Sequence, residues 1–259
     1  VTIPSKKESA TKNIGVITTY ITDYIFPHII RGIEEELSRK GYRLTLGVTK
    51  NRVEEEGKLL RSFLNHKVDG LIVEGTKTAF PNPNIGLYRR LQQMGIPIVF
   101  INGYYRELPC VYVATNDRAC GIRAAEFLLK RGSHLGGIFK SDDLQGHERY
   151  AGFTQGIIEG GAEINDSSMI WYTTESRANL FKGESATQIY DQLKKCDGVL
   201  CYNDQIAYDL IEFLTQKGVR VPDDVAVLRY DNSSISQYCP IKISSFNHPK
   251  DQLGIRAAD

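Results

Sequence analysis

The residues best suited to chemistry in this 259-residue chain are polar side chains that follow short apolar runs. The clearest case starts with the apolar run 135–139, continues through a polar segment and reaches Arg149 just before a second apolar period. The pattern predicts a strand, a loop and a helix with Arg149 in its first turn. A guanidinium can chelate adjacent hydroxyls or a carboxylate, and ligands of open α/β sheets bind at this end of a strand. A surface salt bridge is the alternative interpretation of Arg149.

Polar and aromatic residues after the other predicted strands extend this into a candidate site for a neutral sugar. Sugars need donors and acceptors for adjacent hydroxyls, and aromatic faces against their C–H side. Because loops at one end of parallel strands face the same cleft, we expect these residues to converge. The candidates are Tyr20, Asp23, Tyr24 and Phe26 after the first strand, Glu74, Lys77 and Asn102 after the third and fourth, and Asp142, Gln145, Arg149, Asn203 and Asp204 in the second half.

Each candidate also has a structural interpretation. Asp204, like Asp117 before an earlier predicted helix, is a plausible helix N-cap. The charged candidates Glu74, Lys77 and Asp142 are typical of solvated loops, and the aromatic candidates after the first strand are typical of core packing. Convergence on one cleft is what favours the binding interpretation over these.

Strand and helix patterns alternate along the chain, which is typical of a doubly wound parallel sheet. In the first half, strands are predicted at 14–18, 43–48, 69–73 and 97–101, with helices at 25–40, 54–66, 85–94 and 117–131. In the second half, strands are predicted at 135–139, 169–172, 198–201 and 225–228, with helices at 149–159, 184–193 and 204–217. We therefore predict an α/β fold with two doubly wound parallel-sheet lobes.

The restart of the pattern predicts the domain organisation. We expect residues 14–132 with 247–259 to form an N-terminal lobe and residues 133–246 a C-terminal lobe. The polar residues 1–13 suit a linker from a missing N-terminal domain better than a packed element. The two lobes are expected to close on a ligand by a hinge movement.

Composition and charge argue against several classes of function. With 32 basic and 31 acidic side chains and a net charge of +1, the chain lacks the broad positive field that binds nucleic acid or an anionic membrane. No apolar run approaches the roughly 18 residues of a membrane span. Five cysteines at spacings that match no zinc pattern, with no visible signal peptide, are typical of reduced thiols in a cytoplasmic protein.

Motifs of catalysis are missing where they would be expected. No glycine fingerprint follows the first strand, and no phosphate-binding loop ends in Gly-Lys-Ser/Thr. The adjacent His147 and Glu148 have no second histidine four residues on to complete a zinc-binding helix. We expect a binding protein rather than an enzyme, with no cofactor and no metal.

Short motifs along nearly the whole chain resemble the effector-binding domain of the lactose-repressor/galactose-repressor family. They are Ile14-Gly15-Val16, Ile33-Glu34, Asp69-Gly70-Leu71-Ile72, Pro97-Ile98-Val99, Asp117, Arg149 to Phe153, Asn203-Asp204, Val221-Pro222-Asp223-Asp224-Val225, Tyr230-Asp231 and His248-Pro249. The resemblance implies the periplasmic-binding-protein type I fold, a sugar bound between the lobes and a homodimer formed through the N-terminal lobe. It also implies that Arg149 and Asp204 are the principal hydroxyl clamps of the second lobe and that His248 reaches the cleft from the returning strand.

The likeness extends to the arabinose-responsive members of the family. The motifs that carry it are Thr18-Thr19-Tyr20-Ile21, Asp23-Tyr24-Ile25-Phe26-Pro27, Glu74 with Thr76-Lys77, Ile138-Phe139-Lys140, Asp142-Asp143 and Leu200-Cys201-Tyr202-Asn203-Asp204. It implies a repressor induced by L-arabinose or a related monosaccharide, with operator DNA contacted only through a missing N-terminal winged-helix domain.

Two other classes of function remain as alternatives. A sugar-binding protein of an ABC transport system would have the same lobes but an exported, monomeric life. A secretory signal upstream of Val1 supports transport, whereas a winged helix supports repression. An enzyme acting on a sugar or a sugar phosphate would have to form product.

One position departs from the family pattern. The family usually has glycine before the Tyr-Asp pair, and this chain has Arg229. A bulky cation there is expected to alter the loop beside the cleft, so residues 230–234 are the least transferable part of the site.

Overall fold

The structure is a computed structural model that describes residues 10–22, 25–237, 239 and 241–259. Within these residues ten strands and eight α-helices alternate along most of the chain. The strands form two separate five-stranded sheets in which every pairing is parallel. The predicted α/β fold with two doubly wound lobes is therefore confirmed. Of the candidate site residues, Asp23 and Tyr24 lie outside the described part of the chain.

The strands fall into two similar sheets. They are β1 (Asn13–Thr18), β2 (Arg43–Val48), β3 (Gly70–Val73), β4 (Ile98–Ile101), β5 (Val111–Val113), β6 (Leu135–Lys140), β7 (Met169–Tyr172), β8 (Gly198–Cys201), β9 (Ala226–Asp231) and β10 (Ser245–Asn247). The first sheet has the order β2-β1-β3-β4-β5 and the second the order β10-β9-β8-β6-β7. The winding direction reverses between β1 and β3 and between β6 and β8. Ligands of such sheets bind beyond the carboxyl ends of the strands at this reversal.

The helices cover both faces of each sheet. They are α1 (Phe26–Arg39), α2 (Val53–Asn65), α3 (Ile85–Gln93), α4 (Asp117–Leu128), α5 (Leu144–Glu159), α6 (Gly183–Leu193), α7 (Asp204–Gln216) and α8 (Lys250–Ala258). In the first sheet α1 and α8 pack on one face and α2 and α3 on the other. In the second sheet α4 and α5 pack on one face and α6 and α7 on the other. No helix within the described residues is long and apolar enough to cross a membrane.

The helix α1 shows how the sequence builds these elements. Phe26, Ile29, Ile33 and Leu37 recur every three or four residues, so they share one buried face of the helix. The chain leaves this helix at Gly41, whose φ of +75° lies in the left-handed region that glycine adopts without steric cost.

Internal contacts divide the chain at different points from those expected. The first unit comprises the described residues up to Thr76 with Asn82–Val113 and Lys250–Asp259, and the second comprises Lys77–Pro81 and Ala114–Pro249. The boundary expected after residue 132 therefore lies before residue 114, so α4 belongs to the second unit. The reason is its packing on α5, where Gly121 and Gly152 let the two backbones meet: a Cβ at Gly152 would overlap the carbonyl oxygen of Arg118.

Two local predictions are corrected. The helix α5 begins at Leu144, five residues before the expected start, because Asp143 caps it by accepting a hydrogen bond from the Gly146 amide at 2.7 Å. Arg149 consequently lies in its second turn. Residues 111–113, which are not among the predicted strands, form the edge strand β5. Its Val111 and Tyr112 are both exposed, so the segment has no alternation of buried and exposed residues that would indicate a strand.

Candidate functional site

Arg149 is the centre of a buried polar cluster at the carboxyl end of the second sheet. Only 2% of the residue is exposed. Its Nε donates to Oδ1 of Asp117 at 2.8 Å, and its Nη1 donates to the carbonyl oxygen of Tyr202 at 2.5 Å. The guanidinium carbon lies 4.1 Å from the ring centroid of Tyr230 and 4.8 Å from that of Tyr202. The surface salt bridge weighed for Arg149 is therefore wrong.

Two carboxylates flank this guanidinium. Asp117 opens α4 and is 6% exposed, and its Oδ2 also accepts a hydrogen bond from the Gln145 amide at 3.3 Å. Asp231 ends β9, and its Oδ1 lies 4.0 Å from Nη2 of Arg149. Burial by itself lowers the pKa of Arg149, but Asp117 and Asp231 raise it well above its usual value. The arginine is therefore a permanent cation between two acids.

The helix-capping roles considered for Asp117 and Asp204 belong to the residues before them. Asn116 caps α4, with its Oδ1 accepting from the Ala119 amide at 3.0 Å. Asn203 caps α7, with its Oδ1 accepting from the Ile206 amide at 3.0 Å. Each aspartate, one position further on, is thereby directed into the buried polar clusters of the second unit.

Asp204 is fully buried and ties the start of α7 to the chain after β9. Its Oδ2 accepts from the amide of Ser233 at 2.5 Å and from its hydroxyl at 2.6 Å. Its Oδ1 lies 3.1 Å from Nη1 of Arg229. Burial raises the pKa of Asp204, while Ser233 and Arg229 oppose that rise. Arg229, expected beside the loop, is thus buried and paired with Asp204.

A second charged cluster lies on the segment that follows β6. Lys140 Nζ is 3.1 Å from Oδ1 of Asp142 and 3.1 Å from Oδ2 of Asp143. Asp142 also accepts from the amide and the hydroxyl of Thr174, at 3.0 and 2.7 Å. Tyr202 donates its hydroxyl to Oδ2 of Asp143 at 2.6 Å. Because the Tyr202 carbonyl holds Arg149, this cluster joins the arginine cluster through one residue.

Lys77 lies in the segment Lys77–Pro81, which belongs by its contacts to the second unit. Its Nζ pairs with Glu175, and its φ is +48°. The next residue, Thr78, accepts a hydrogen bond from the Leu144 amide at the start of α5 at 2.9 Å. The candidate Lys77 therefore lies near the cluster around Lys140, because Glu175 and Leu144 each follow a residue of that cluster, Thr174 and Asp143.

In the first unit, Glu74 joins the carboxyl ends of three strands. It follows β3 and is 8% exposed. Its Oε2 accepts from the amide and the hydroxyl of Thr19 after β1, at 3.0 and 2.6 Å. Its Oε1 accepts from the amide of Asn102 after β4 at 2.9 Å. Oδ1 of Asn102 is buried and has no hydrogen-bond partner among the described residues.

The remaining candidates are placed as follows. Phe26 is buried in the core between α1 and the sheet, and the ring of Tyr20 lies 6.1 Å from it. His248 follows β10 and is 5% exposed, and its amide donates to the carbonyl oxygen of Asp231 at 3.4 Å. The structure therefore gathers Gln145 and His248 around the acids that flank Arg149, and it groups Glu74 with Asn102.

A buried carboxylate that the sequence analysis missed organises the chain after β3. Glu56, on α2, is fully buried and accepts from five donors. They are the hydroxyls of Tyr105 at 2.5 Å and Tyr88 at 2.9 Å, the amides of Asn82 at 2.7 Å and Asn84 at 3.0 Å, and the backbone amide of Thr76 at 3.2 Å. A glutamate at that point of an amphipathic helix carries no signal that distinguishes it from a solvated one.

The clusters suit a ligand that both donates and accepts hydrogen bonds. Both buried arginines of the second unit already have carboxylate partners, so an anion would meet repulsion from the same acids. A neutral hydroxyl can donate to a carboxylate and accept from a guanidinium. Among the described residues, no group of three or more histidine, cysteine or acidic side chains is arranged to hold a metal ion.

Comparison with known proteins places the chain in a family. Residues 125–259 match the family described as periplasmic binding protein-like domain. An arabinose metabolism transcriptional repressor of Halalkalibacterium halodurans is 41% identical over 249 residues, which are 95% of this chain and 66% of that protein. A repressor of the same name from Geobacillus stearothermophilus is 37% identical over 260 residues, 99% of this chain and 71% of that protein. The chain belongs to the lactose-repressor/galactose-repressor family.

The fold of this family member agrees with a solved relative. The crystal structure of the transcription regulator CcpA of Lactococcus lactis superposes with a TM-score of 0.82 at 25% identity, and covers 95% of this chain and 88% of that one. The resemblance drawn from the motifs and the periplasmic-binding-protein fold are both confirmed. The chain corresponds to an effector domain and spans about two thirds of the length of the two arabinose repressors, 66% and 71%.

Within this effector domain, Asp117 and Asp231 are the site residues that sequence reasoning left out of the candidate set. In the sequence Asp117 is a plausible helix cap and a family motif residue, and Asp231 appears only as part of a motif. The signal that could have found them is the buried cation itself, because a buried guanidinium requires acids close by.

Proposed function

We propose that this chain is the sugar-sensing part of a bacterial transcriptional repressor and that L-arabinose or a related monosaccharide is its inducer. The observation that carries the proposal is the buried Arg149, held between Asp117 and Asp231 and against the rings of Tyr202 and Tyr230. Charge-assisted donors and acceptors beside aromatic faces are what a neutral sugar requires.

The first unit supplies a second set of polar atoms. Asn102 Oδ1 is a buried acceptor, and Glu74 holds the amide of the same side chain. A buried acceptor without a donor costs free energy, which a ligand hydroxyl would recover. We therefore assign Asn102 a direct contact with the sugar and Glu74 the role of orienting it.

The relatives support repression rather than transport or catalysis. Two relatives, each of which matches at least 95% of the chain, are named as transcriptional repressors of arabinose metabolism. Those names favour L-arabinose over other monosaccharides and do not favour an ABC transport protein or an enzyme. The chain would work in the cytoplasm, as a homodimer through its first unit, with operator DNA bound only by a further N-terminal domain.

Sugar would relieve repression by shifting a conformational equilibrium. A ligand shifts such an equilibrium only as far as its affinities for the two conformations differ. A coupling free energy of roughly 1–3 kcal/mol would weaken operator binding about 5- to 150-fold. In this scheme sugar binding changes the spacing of the DNA-binding domains.

Titration calorimetry tests the ligand. L-Arabinose, D-xylose, D-ribose, D-galactose and D-glucose 6-phosphate would be titrated into the protein, and we expect heat from L-arabinose and none from the phosphate ester. Arg149→Lys retains the charge but loses the planar fork, so it should weaken binding by about tenfold or more. Arg118→Ala, an exposed arginine of α4, is the matched control and should bind as the parent does.

The outcomes separate the alternatives. Heat from another pentose or hexose alone would replace L-arabinose but keep the sugar sensor. Conversion of any bound sugar into product would make the chain an enzyme. If no sugar binds, or if Arg149→Lys binds as tightly as Arg118→Ala, the proposal is overturned.

A further inference from the structure

Arg229 is a charged residue at a buried position, where a charge without a partner is unfavourable. It lies in β9 two residues after Val227, so it projects toward the apolar cluster that α6 and α7 form on that face. Only 5% of the residue is exposed, and its Nε has no hydrogen-bond partner among the described residues. A guanidinium buried in this way is tolerated when a carboxylate compensates it. That carboxylate is Asp204, 3.1 Å from its Nη1.

The other oxygen of Asp204 closes a bend in the chain. Oδ2 accepts from both the amide and the hydroxyl of Ser233. Between Arg229 and Ser233 the backbone turns through Asp231 and Asn232, whose φ angles are +92° and +46°. Left-handed backbone is unfavourable for residues other than glycine and persists where surrounding contacts hold it. The Asp204–Ser233 bonds are such contacts, immediately after the two left-handed residues.

The same bend directs Asp231 toward the arginine cluster. Its carboxylate Oδ1 lies 4.0 Å from Nη2 of Arg149, and its carbonyl oxygen accepts the amide of His248. The chain of contacts therefore runs from Arg229 to Asp204, from Asp204 to Ser233, and through the bend to Asp231 and Arg149. A substitution of Arg229 would therefore alter the position of Asp231 relative to Arg149.

We propose that Arg229 and Asp204 form a positioning pair that sets the sugar affinity. Arg229 keeps Asp204 ionised, ionised Asp204 holds the bend through Ser233, and the bend places Asp231 against Arg149. Neither member of the pair contacts the sugar. The inference rests on the function proposed above, since the affinity that it governs is that for the sugar.

The charges around Asp204 give the pair a pH signature. Burial and Asp231 raise the pKa of the Asp204 carboxyl, whereas Ser233 and Arg229 lower it. Cys201, on the neighbouring strand β8, lies near Arg229, and burial raises the pKa of its thiol, so it stays neutral across the acidic range. Removing Arg229 removes one of the contacts that lower the pKa of Asp204, so the effect of burial increases and the carboxyl takes up its proton at a higher pH.

The experiment measures L-arabinose affinity by calorimetry from mildly acidic to neutral pH. Arg229→Met removes the charge, Arg229→Lys keeps it, and Arg220→Met removes an exposed arginine whose partner is Asp224. In Arg229→Met we expect the acidic fall in affinity to begin about one pH unit higher, which is about tenfold weaker binding within that window. Arg229→Lys should restore most of the parent profile, and Arg220→Met should not move it.

Carbon-13 NMR of the aspartate carboxyls supplies a readout that needs no sugar. In Arg229→Met the titration midpoint of Asp204 should rise and the Asp231 signal should move with it. If affinity falls by one constant factor at every pH, or if the Asp204 midpoint stays in place, the pair does not act as proposed. If no sugar binds the parent, the proposed function fails, and the two carboxyl titrations alone decide for or against the pair.

Discussion

Asp117 and Arg149 form an ion pair of 2.8 Å between α4 and α5, and both side chains are almost wholly buried. The two helices cross at Gly121 and Gly152, and this close approach lets the carboxylate of Asp117 reach the guanidinium of Arg149. The pair thus links the packing of two helices to the polar cluster that we assign to sugar binding. The helix cap of α4 is the neighbouring Asn116 and not Asp117.

Asp117→Asn should destabilise the protein far more than the loss of a helix cap. Removing one partner of a buried ion pair costs about 3–5 kcal/mol, because the other charge stays buried. Asn116→Ala, one residue away, removes the cap and should cost about 1 kcal/mol. Urea unfolding of both variants measures the difference. Equal costs would show that Asp117 is not the compensating charge of Arg149.

Gly152→Ala should disrupt the crossing of α4 and α5. The added Cβ would overlap the carbonyl oxygen of Arg118, which belongs to rigid helix backbone, so we expect a loss of about 1–3 kcal/mol or more. Gly86→Ala in α3 is the matched control, since nothing lies within 4 Å of its added Cβ. That control should gain up to about 1 kcal/mol from helix propensity. Thermal unfolding compares the two, and a stable Gly152→Ala would contradict the close approach.

Glu56→Gln should destabilise the first unit despite its nearly unchanged volume. The carboxylate accepts from five donors, and a glutamine would turn its own amide donor toward some of them. We expect a loss of about 3 kcal/mol, as for a broken buried network. Tyr88→Phe removes a single donor and should cost about 1 kcal/mol. Chemical denaturation measures both, and a neutral Glu56→Gln would mean that the charge is dispensable.

Alkaline pH should reveal the buried tyrosines. Burial raises the pKa of Tyr88 and of Tyr105 well above the usual value, and the nearby Glu56 adds to the rise. The folded state therefore keeps these protons where the unfolded chain, near pH 10, releases them, so stability is complete below about pH 10 and falls above it. Tyrosinate absorbance should show a delayed fraction in the folded protein, smaller in Tyr88→Phe. Full ionisation near pH 10 without unfolding would refute it.

The order of strands and helices could be predicted because hydrophobic period is a local property. The strands β2, β7 and β8 begin and end at the residues that the pattern indicates. The start of α5 could not be predicted in the same way, because Gly146 and the polar residues before Arg149 carry loop character. There a cap on Asp143 outweighs the intrinsic preferences of the residues.

In the candidate site, too, local sequence identified the residues but not their partners. The residue types and their place after strands identified Arg149, Asn102, Glu74 and Asp204 as polar groups at one end of the sheets. Direct contact with the sugar stays a prediction for Arg149 and Asn102, supporting roles are what we propose for Glu74 and Asp204, and the remaining members of the set stay predictions. Two partners of these groups, Ser233 of Asp204 and Thr19 of Glu74, lie 29 and 55 positions away in sequence, and no local pattern records such pairings.

The sequence by itself determined the alternating α/β elements, the two parallel sheets and the family, because each depends on the periodicity and motifs of short segments. Tertiary structure alone decided that α4 joins the second unit, that Arg229 is buried against Asp204, and that Asp117 and Asp231 enclose Arg149. Those outcomes depend on which charges are brought together away from water, and the free energy of burying a charge is set by neighbours in space rather than along the chain.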